Sequence, residues 1–230
     1  MQPDHSSLHQ IPTLTDRTGV FADRRDAGAT LVDMLTHYRN TNTLVLGIPN
    51  GGMPVAAEVA KGLGLHMDVA ICSKMLLPWT TEAGFGAVAW DGSEYVNTVY
   101  AEGLTKQQVE EARYCARGKV SRRDTLYRQG APFPSVTGAT VLLVDDGIAS
   151  GVTIRASVSA LRKHQPASIV VVVPTGHLSS VLEILSEVDA VYCANVRGGR
   201  CYAVADAYLD WCDVSDTEVM QDLTALRRVE

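Results

Sequence analysis

No Cys-x-x-Cys pair occurs in the 230 residues, although there are five cysteines, at 72, 115, 193, 201 and 212. An odd number without paired spacing argues against a zinc site or a disulfide framework, and leaves unpaired thiols in a reducing compartment as the expectation. No apolar run approaches the roughly 18 residues that a membrane span needs, and Met1–Gln10 is polar where a signal peptide has its apolar centre. The chain is therefore expected in the cytoplasm, with no membrane partner. Positive charge is not in excess either. Twenty Lys and Arg stand against 26 Asp and Glu, a formal net charge of −6, which argues against a general nucleic-acid or anionic-membrane surface while leaving room for a local basic pocket. Three signatures are missing as well: the Gly-Lys-Ser/Thr of a Walker loop, a G-x-G-x-x-G opening a helix after a strand, and a serine-hydrolase elbow, since Ile148 and Val152 flank Ser150 where that elbow needs glycines.

What is present is concentrated in Val141–Thr153, V-L-L-V-D-D-G-I-A-S-G-V-T. Val141–Val144 is a short continuous apolar run with β-branched residues, the pattern of a parallel strand covered on both faces. It ends on Asp145 and Asp146, neighbouring carboxylates that repel each other and are better placed against hydroxyls or a cation than in a dry core. Gly147 and Gly151 allow a tight turn, and Ser150 and Thr153 offer hydroxyls as a helix begins near Gly151. Unpaired N–H groups of such a turn point at an anion. Acceptors for sugar hydroxyls thus stand beside donors for a phosphate, the two needs of a ribose 5-phosphate.

Elsewhere, strands alternate with helices. Thr43–Ile48, His66–Cys72, Val141–Val144, Ser168–Val173 and Ala190–Ala194 read as five buried strands. Helices are expected over Asp23–Tyr38, from the Gly51-Gly52 turn to about Gly64, and over Thr105–Gln129, Gly151–His164, Leu178–Ser186 and Val214–Arg228. This order implies a mainly parallel α/β sheet whose ligand loops gather at the carboxyl ends of the strands. Residues 1–20 lack periodicity and read as a flexible extension, with 21–230 a single domain. His5 and His9 are i,i+4 spaced, but no third ligand accompanies them. Gly51 and Gly52 permit close backbone approach to a ligand or simply a tight strand-to-helix turn. Lys74 is a solvated strand cap or a phosphate contact. The basic end of the Thr105–Gln129 helix, Arg113 to Arg128, reads as a solvated face before a phosphate patch, and His177 as a cap or loop residue before a catalyst. Tyr202, Tyr208 and Trp211, with Arg197 and Arg200, either stack on a planar base or close the core.

The Val141–Thr153 run closely resembles the PRPP-binding signature of type I phosphoribosyltransferases, departing only by Ser150 for the usual Thr. Phe21–Gly28, Ser73-Lys74, Glu82 with Gly84–Val88, and Tyr208–Val219 are similar to a subgroup of uncharacterised prokaryotic phosphoribosyltransferase-like proteins, so that the likeness covers about residues 21–223. The resemblance implies a five-stranded, Rossmann-like sheet flanked by helices, a flap over about residues 75–104 that excludes water, and a hood over about 195–214. It implies Mg²⁺-dependent transfer of phosphoribose from PRPP to a nucleobase or related nitrogen acceptor, in nucleotide metabolism. Asp145 and Asp146 would hold the ribose hydroxyls beside the developing positive charge. Gly147, Ile148, Ala149, Ser150, Gly151, Val152 and Thr153 would bind the 5-phosphate. Asn50, Gly51, Gly52 and Lys74 would face the pyrophosphate, in a loop that in this family often contains a non-proline cis peptide. Relatives commonly carry Arg or Lys where this chain has Asn50, which removes a fixed positive charge and opens a second reading, a catalytically weak PRPP- or nucleotide-binding regulator. Mg²⁺ would be held mainly by PRPP and water, with no protein-only cage. Dimers are common in the family, and the sequence names no interface.

Overall fold

Leu142 and Val144 face one side of the central strand and Val141 and Leu143 the other, and all four are shut off from solvent. That period of two, apolar on both faces, requires helices on each side of the sheet. The computed structural model describes residues 8–199 and 201–227. In it this strand, β7 (Thr140–Val144), lies within a parallel sheet of six strands rather than five. The order is β1 (Leu8–His9), β9 (Ala190–Arg197), β8 (Ser168–His177), β7, β2 (Thr43–Gly47), β3 (His66–Val69). Helices α1 (Arg24–Met34), α2 (Gly52–Leu63) and α6 (Asp216–Leu226) cover one face; α4 (Val152–Lys163) and α5 (Leu178–Leu185) cover the other. No helix among the described residues is long and apolar enough to cross a membrane.

The sixth strand comes from the segment expected to be a loose extension. Leu8 pairs with Val191 and His9 with Tyr192, whose ring stacks on the imidazole at 4.1 Å. Ile11 N–H then donates to Ala194 O at 3.1 Å, and the buried Asn195 amide donates to the carbonyls of Leu14 and Arg17. From residue 8 onward the segment is therefore docked along β9, by long-range pairing that no local periodicity reveals. His5, and with it the His5/His9 spacing, lies outside the described residues.

Three further expectations are corrected. The run His66–Cys72 is not one strand: β3 stops at Val69, whose carbonyl accepts from Arg128 Nη2 at 2.6 Å, and the chain re-enters a second sheet at Cys72. That sheet, β4 (Cys72–Leu76), β5 (Gly84–Ala89) and β6 (Glu94–Val96), is antiparallel and runs through the segment expected as a flap. Every residue of β5 is buried, packed against α4 and against α3 (Lys106–Arg128), so the hairpin belongs to the core and only the turns 77–83 and 97–103 form an outer rim. Third, β8 and β9 run past the expected ends. Thr175, Gly176 and His177 pair with Asn195, Val196 and Arg197, and a buried hydrogen bond of 2.7 Å from Thr175 Oγ1 to Asn195 Oδ1 holds the extension. Capping follows the sequence closely. Asp23, Thr105 and Ser215 each accept backbone N–H groups at the starts of α1, α3 and α6.

Candidate active site

The end of β7 is flanked by the two glycine turns. After β2 the chain turns at once, Ile48 N–H donating to Val144 O at 2.8 Å, so that the 48–52 loop lies against the carboxylate pair. The peptide between Pro49 and Asn50 is cis, as the resemblance led one to expect. Close approach explains the glycines that follow. A Cβ on Gly51 would stand 1.9 Å from Asp146 Oδ2, and one on Gly52 would stand 2.8 Å from both Val144 O and Asp145 Cα. Any side chain at either position would displace the acidic pair or the strand beneath it.

Asp145 Oδ1 accepts the Asp146 N–H at 2.9 Å, and Thr153 Oγ1 donates to Asp145 Oδ2 at 3.4 Å. Asp146 is tied on three sides. Its carboxylate pairs with Arg24 Nε at 3.0 Å, its carbonyl accepts from the Tyr208 hydroxyl at 2.6 Å, and Gly51 lies against Oδ2. Arg24, the first residue of α1, also donates to Cys212 O at 2.7 Å and stacks under Trp211, 3.7 Å from the ring centre. Burial raises the Asp145 carboxyl well above its ordinary value, and the Asp146 charge adds to this. Asp146 is also raised by burial, opposed by Arg24; its side chain keeps 17% exposure, so that push is incomplete. Lys74 lowers both. Arg24 was missed by sequence reasoning. It sits in the Phe21–Gly28 run that resembles the subgroup, but its partner is 122 residues away.

The second turn divides its labour. Ile148 is buried, its N–H donating to Thr175 O at 2.9 Å while its carbonyl accepts from His177 N–H at 3.0 Å. It is an anchor, so the expectation that it donates to phosphate is corrected. Among the described residues, the N–H groups of Ala149, Ser150, Gly151, Val152 and Thr153 meet no carbonyl or side-chain acceptor. Gly151, at φ +69°, turns the chain into α4, whose N-terminus no side chain caps. These donors are the ones an anion would satisfy. Gly147 fits tightly, a Cβ there meeting Val204 at 2.5 Å.

A cavity of about 470 Å³ opens beside this turn, between Lys74, Glu82, Ser150, His177 and Tyr202. Lys74 lies within β4 rather than at a strand end, and its Nζ donates to Glu82 O at 3.3 Å. Asn50 points the other way. Its Nδ2 donates to Val214 O at 2.9 Å and Asp216 Oδ1 at 3.0 Å, and its Oδ1 accepts from the Tyr127 hydroxyl at 3.1 Å. The side chain expected at the pyrophosphate thus fastens its loop to α6 and α3. Asn50→Ala is expected to lower stability by about 1–3 kcal/mol, because it strands these partners; urea unfolding checks it, and an unchanged midpoint would remove the fastening role.

His177 has both ring nitrogens engaged, with Ser179 Oγ at 2.8 Å and Gly199 O at 3.0 Å, and so acts as a loop fastener. Tyr208 is buried against Phe21 and closes the core, whereas the Tyr202 hydroxyl donates to Thr175 Oγ1 at 3.4 Å at the cavity wall. Arg197 pairs with Asp206 at 3.3 Å; Arg200 lies outside the described residues. Of the basic end of α3, Arg113 and Arg117 pair with Glu94, Arg122 with Asp216, and Arg128 with Asp68 and Asp124. Among the described residues, no group of three or more His, Cys, Asp or Glu side chains is placed to hold a metal ion.

A parallel sheet whose carboxyl edge presents a carboxylate pair between two glycine turns defines an α/β protein of the doubly wound, edge-binding class. Comparison with known proteins narrows this. Residues 91–199 match the model of the phosphoribosyl transferase domain. The crystal structure of TT1426 from Thermus thermophilus is similar at 31% identity with a TM-score of 0.71, covering 90% of this chain and 99% of that one. Two Mycobacterium tuberculosis proteins, from strains CDC 1551 and H37Rv, each bearing the name "Putative phosphoribosyl transferase", are 33% identical over 211 residues. That match takes in 91% of this chain and 47% of theirs, so the chain spans about half the length of these curated relatives. Residues 91–199 thus match a phosphoribosyl transferase domain, and the likeness to these relatives extends over nine-tenths of the chain.

Proposed function

We propose that the protein binds PRPP at this edge and transfers its phosphoribosyl group to a nitrogen acceptor, a nucleobase or a related amine-bearing molecule. The observation that carries this reading is the contact of Gly51 and Gly52 with Asp145 and Asp146, which sets the loop for a leaving group against acceptors for ribose hydroxyls. The free N–H groups from Ala149 to Thr153 then receive the 5-phosphate, and Lys74 faces the diphosphate. The acceptor nitrogen forms a bond to the anomeric carbon as the bond to pyrophosphate breaks, and the nitrogen gives up its proton to solvent. Asp145 and Asp146 hold the ribose in place and stabilise the positive charge that develops on the sugar.

Mg²⁺ would be held mainly by oxygens of PRPP and by water, which suits a site whose described residues form no metal cage and whose acidic pair faces the sugar. When bound, the ion offsets the charge that accumulates on the departing pyrophosphate.

Asn50 supports the second reading, a PRPP-binding regulator with weak turnover, since its amide is engaged away from the site and adds no charge to it. Phosphorus NMR of the protein with PRPP and Mg²⁺, with and without pooled purine and pyrimidine bases, separates the two. Base-dependent pyrophosphate is the expected result. PRPP signals that broaden without turnover in any pool support the regulator, and no perturbation of PRPP overturns both.

A further inference from the structure

One arginine of α3 has no counter-ion. Arg113, Arg117, Arg122 and Arg128 each meet a carboxylate within ion-pair distance, but Arg123 meets none among the described residues. Its single hydrogen bond is a long one, from Nη1 to Cys72 O at 3.4 Å, and its Nε is buried with no acceptor. A half-buried guanidinium with most of its donors idle is a costly arrangement unless an anion completes it.

Its surroundings say which anion. Cys72, whose carbonyl it touches, contacts Thr153 O of the second glycine turn through its thiol, and Lys74 follows two residues later on β4. One helical turn along α3, Tyr127 holds Asn50 of the first glycine turn. Arg123 is thus bonded to the strand that carries Lys74 and lies one helical turn from the tyrosine that holds the first glycine turn, next to both segments expected to face a pyrophosphate. Asp216 is near, and its carboxyl is held below the usual range by the Tyr127 hydroxyl first, then by Asn50, Arg122 and Arg123; but its oxygens are already taken by Tyr127, Asn50 and Arg122.

Resting on the PRPP reading, we infer that Arg123 is the cation of the pyrophosphate subsite: unpaired on α3, it supplies through space the charge that Asn50 withholds from the loop. A guanidinium matches the paired oxygens of a diphosphate, and charge-assisted hydrogen bonds of this kind are the strong ones.

The test is binding by the intact chain, measured calorimetrically with Mg²⁺, of three probes: inorganic pyrophosphate, PRPP and ribose 5-phosphate. Arg123→Gln is expected to weaken pyrophosphate and PRPP by about 10–100-fold and to leave ribose 5-phosphate unchanged, since that probe lacks the diphosphate. Arg117→Gln, which removes an exposed cation already paired with Glu94, is expected to leave all three unchanged. Equal affinity of Arg123→Gln and the parent for pyrophosphate and PRPP overturns the inference, as does an equal loss on all three probes, which marks a merely structural arginine. Should Arg123→Gln fail to fold, Arg123→Lys carries the test: it retains charge but not the fork, so a severalfold loss confined to the two diphosphates is expected, and no loss overturns it. A parent protein that binds PRPP but not pyrophosphate, or whose PRPP affinity Arg123→Gln leaves intact, defeats the inference alone; one that binds ribose 5-phosphate without PRPP, or none of the three, defeats the PRPP reading beneath it.

Discussion

Replacing Asp145 and Asp146 together by Asn is expected to cut PRPP-dependent pyrophosphate release by about 10²–10⁴ while the chain remains folded, because two charge-assisted hydrogen bonds to the ribose, each worth about 1.5–3 kcal/mol, are lost. Fold retention follows from the structure: Asn preserves the shape of each side chain, and the Tyr208 hydroxyl bonds the backbone of residue 146 rather than its carboxylate. The single change Asp145→Asn carries a second, opposite effect. The Asp145 carboxyl is raised by burial and by Asp146, so the folded chain holds this proton more tightly than the unfolded chain. Stability therefore falls as pH rises from the ordinary carboxylate value through the raised one, and the deficit is complete above it. Asp145→Asn is expected to stabilise the protein at neutral pH and to lose that advantage in acid. Denaturation midpoints across that range check the sign; a variant less stable than the parent at neutral pH would mean that Asp145 is held by partners stronger than its desolvation. A site that weakens its own protein when empty gains most when a ligand fills it.

Gly52→Ala is the second change with a large expected effect. Its new Cβ would press on backbone, Val144 O and Asp145 Cα at 2.8 Å each, so no rotamer change relieves it and either α2 or the end of β7 must move. Overpacking of this kind costs about 1–3 kcal/mol, which for a domain of this size lowers Tm by roughly 2–12 °C. PRPP use falls as well, since the shift separates the glycine loop from the acidic pair. Gly118→Ala is the internal control: that glycine lies within α3 with nothing within 4 Å of the added carbon, and gains about 0.5–1 kcal/mol of helix propensity. Thermal unfolding of both variants, with pyrophosphate release, decides the matter; a Gly52→Ala protein indistinguishable from the parent would remove the close approach as a design feature.

Much of this was legible in the residues themselves. Val141–Val144 announced a doubly covered strand through its composition, and Asp145–Thr153 announced acceptors beside donors through spacing alone. The helix expected from Thr105 begins where its cap stands, because capping is local chemistry. What escaped was non-local. Leu8 and His9 form a strand by pairing with residues more than 180 positions away, and two residues display no period. The break at Ala70 depends on Arg128 reaching Val69 O from a distant helix. Arg24 and Asn50 were visible as residues but not as contacts: one neutralises Asp146, the other turns its back on the site. Spacing identifies what a stretch of chain offers, whereas the direction a side chain takes is decided by whatever else the fold brings within reach.

Ile148 has a consequence for the thermodynamics of ligand entry. With its N–H and carbonyl both bonded to β8, the second glycine turn is pinned at its root by the longest strand of the sheet. Fixing a backbone residue costs about 1–2 kcal/mol in conformational entropy. Here the cost is met during folding, so the 5-phosphate of the proposed reading would find preorganised donors and need not order the turn itself. On the proposed reading, affinity at the phosphate cradle is then governed by the strength of its contacts rather than by the entropy of the turn.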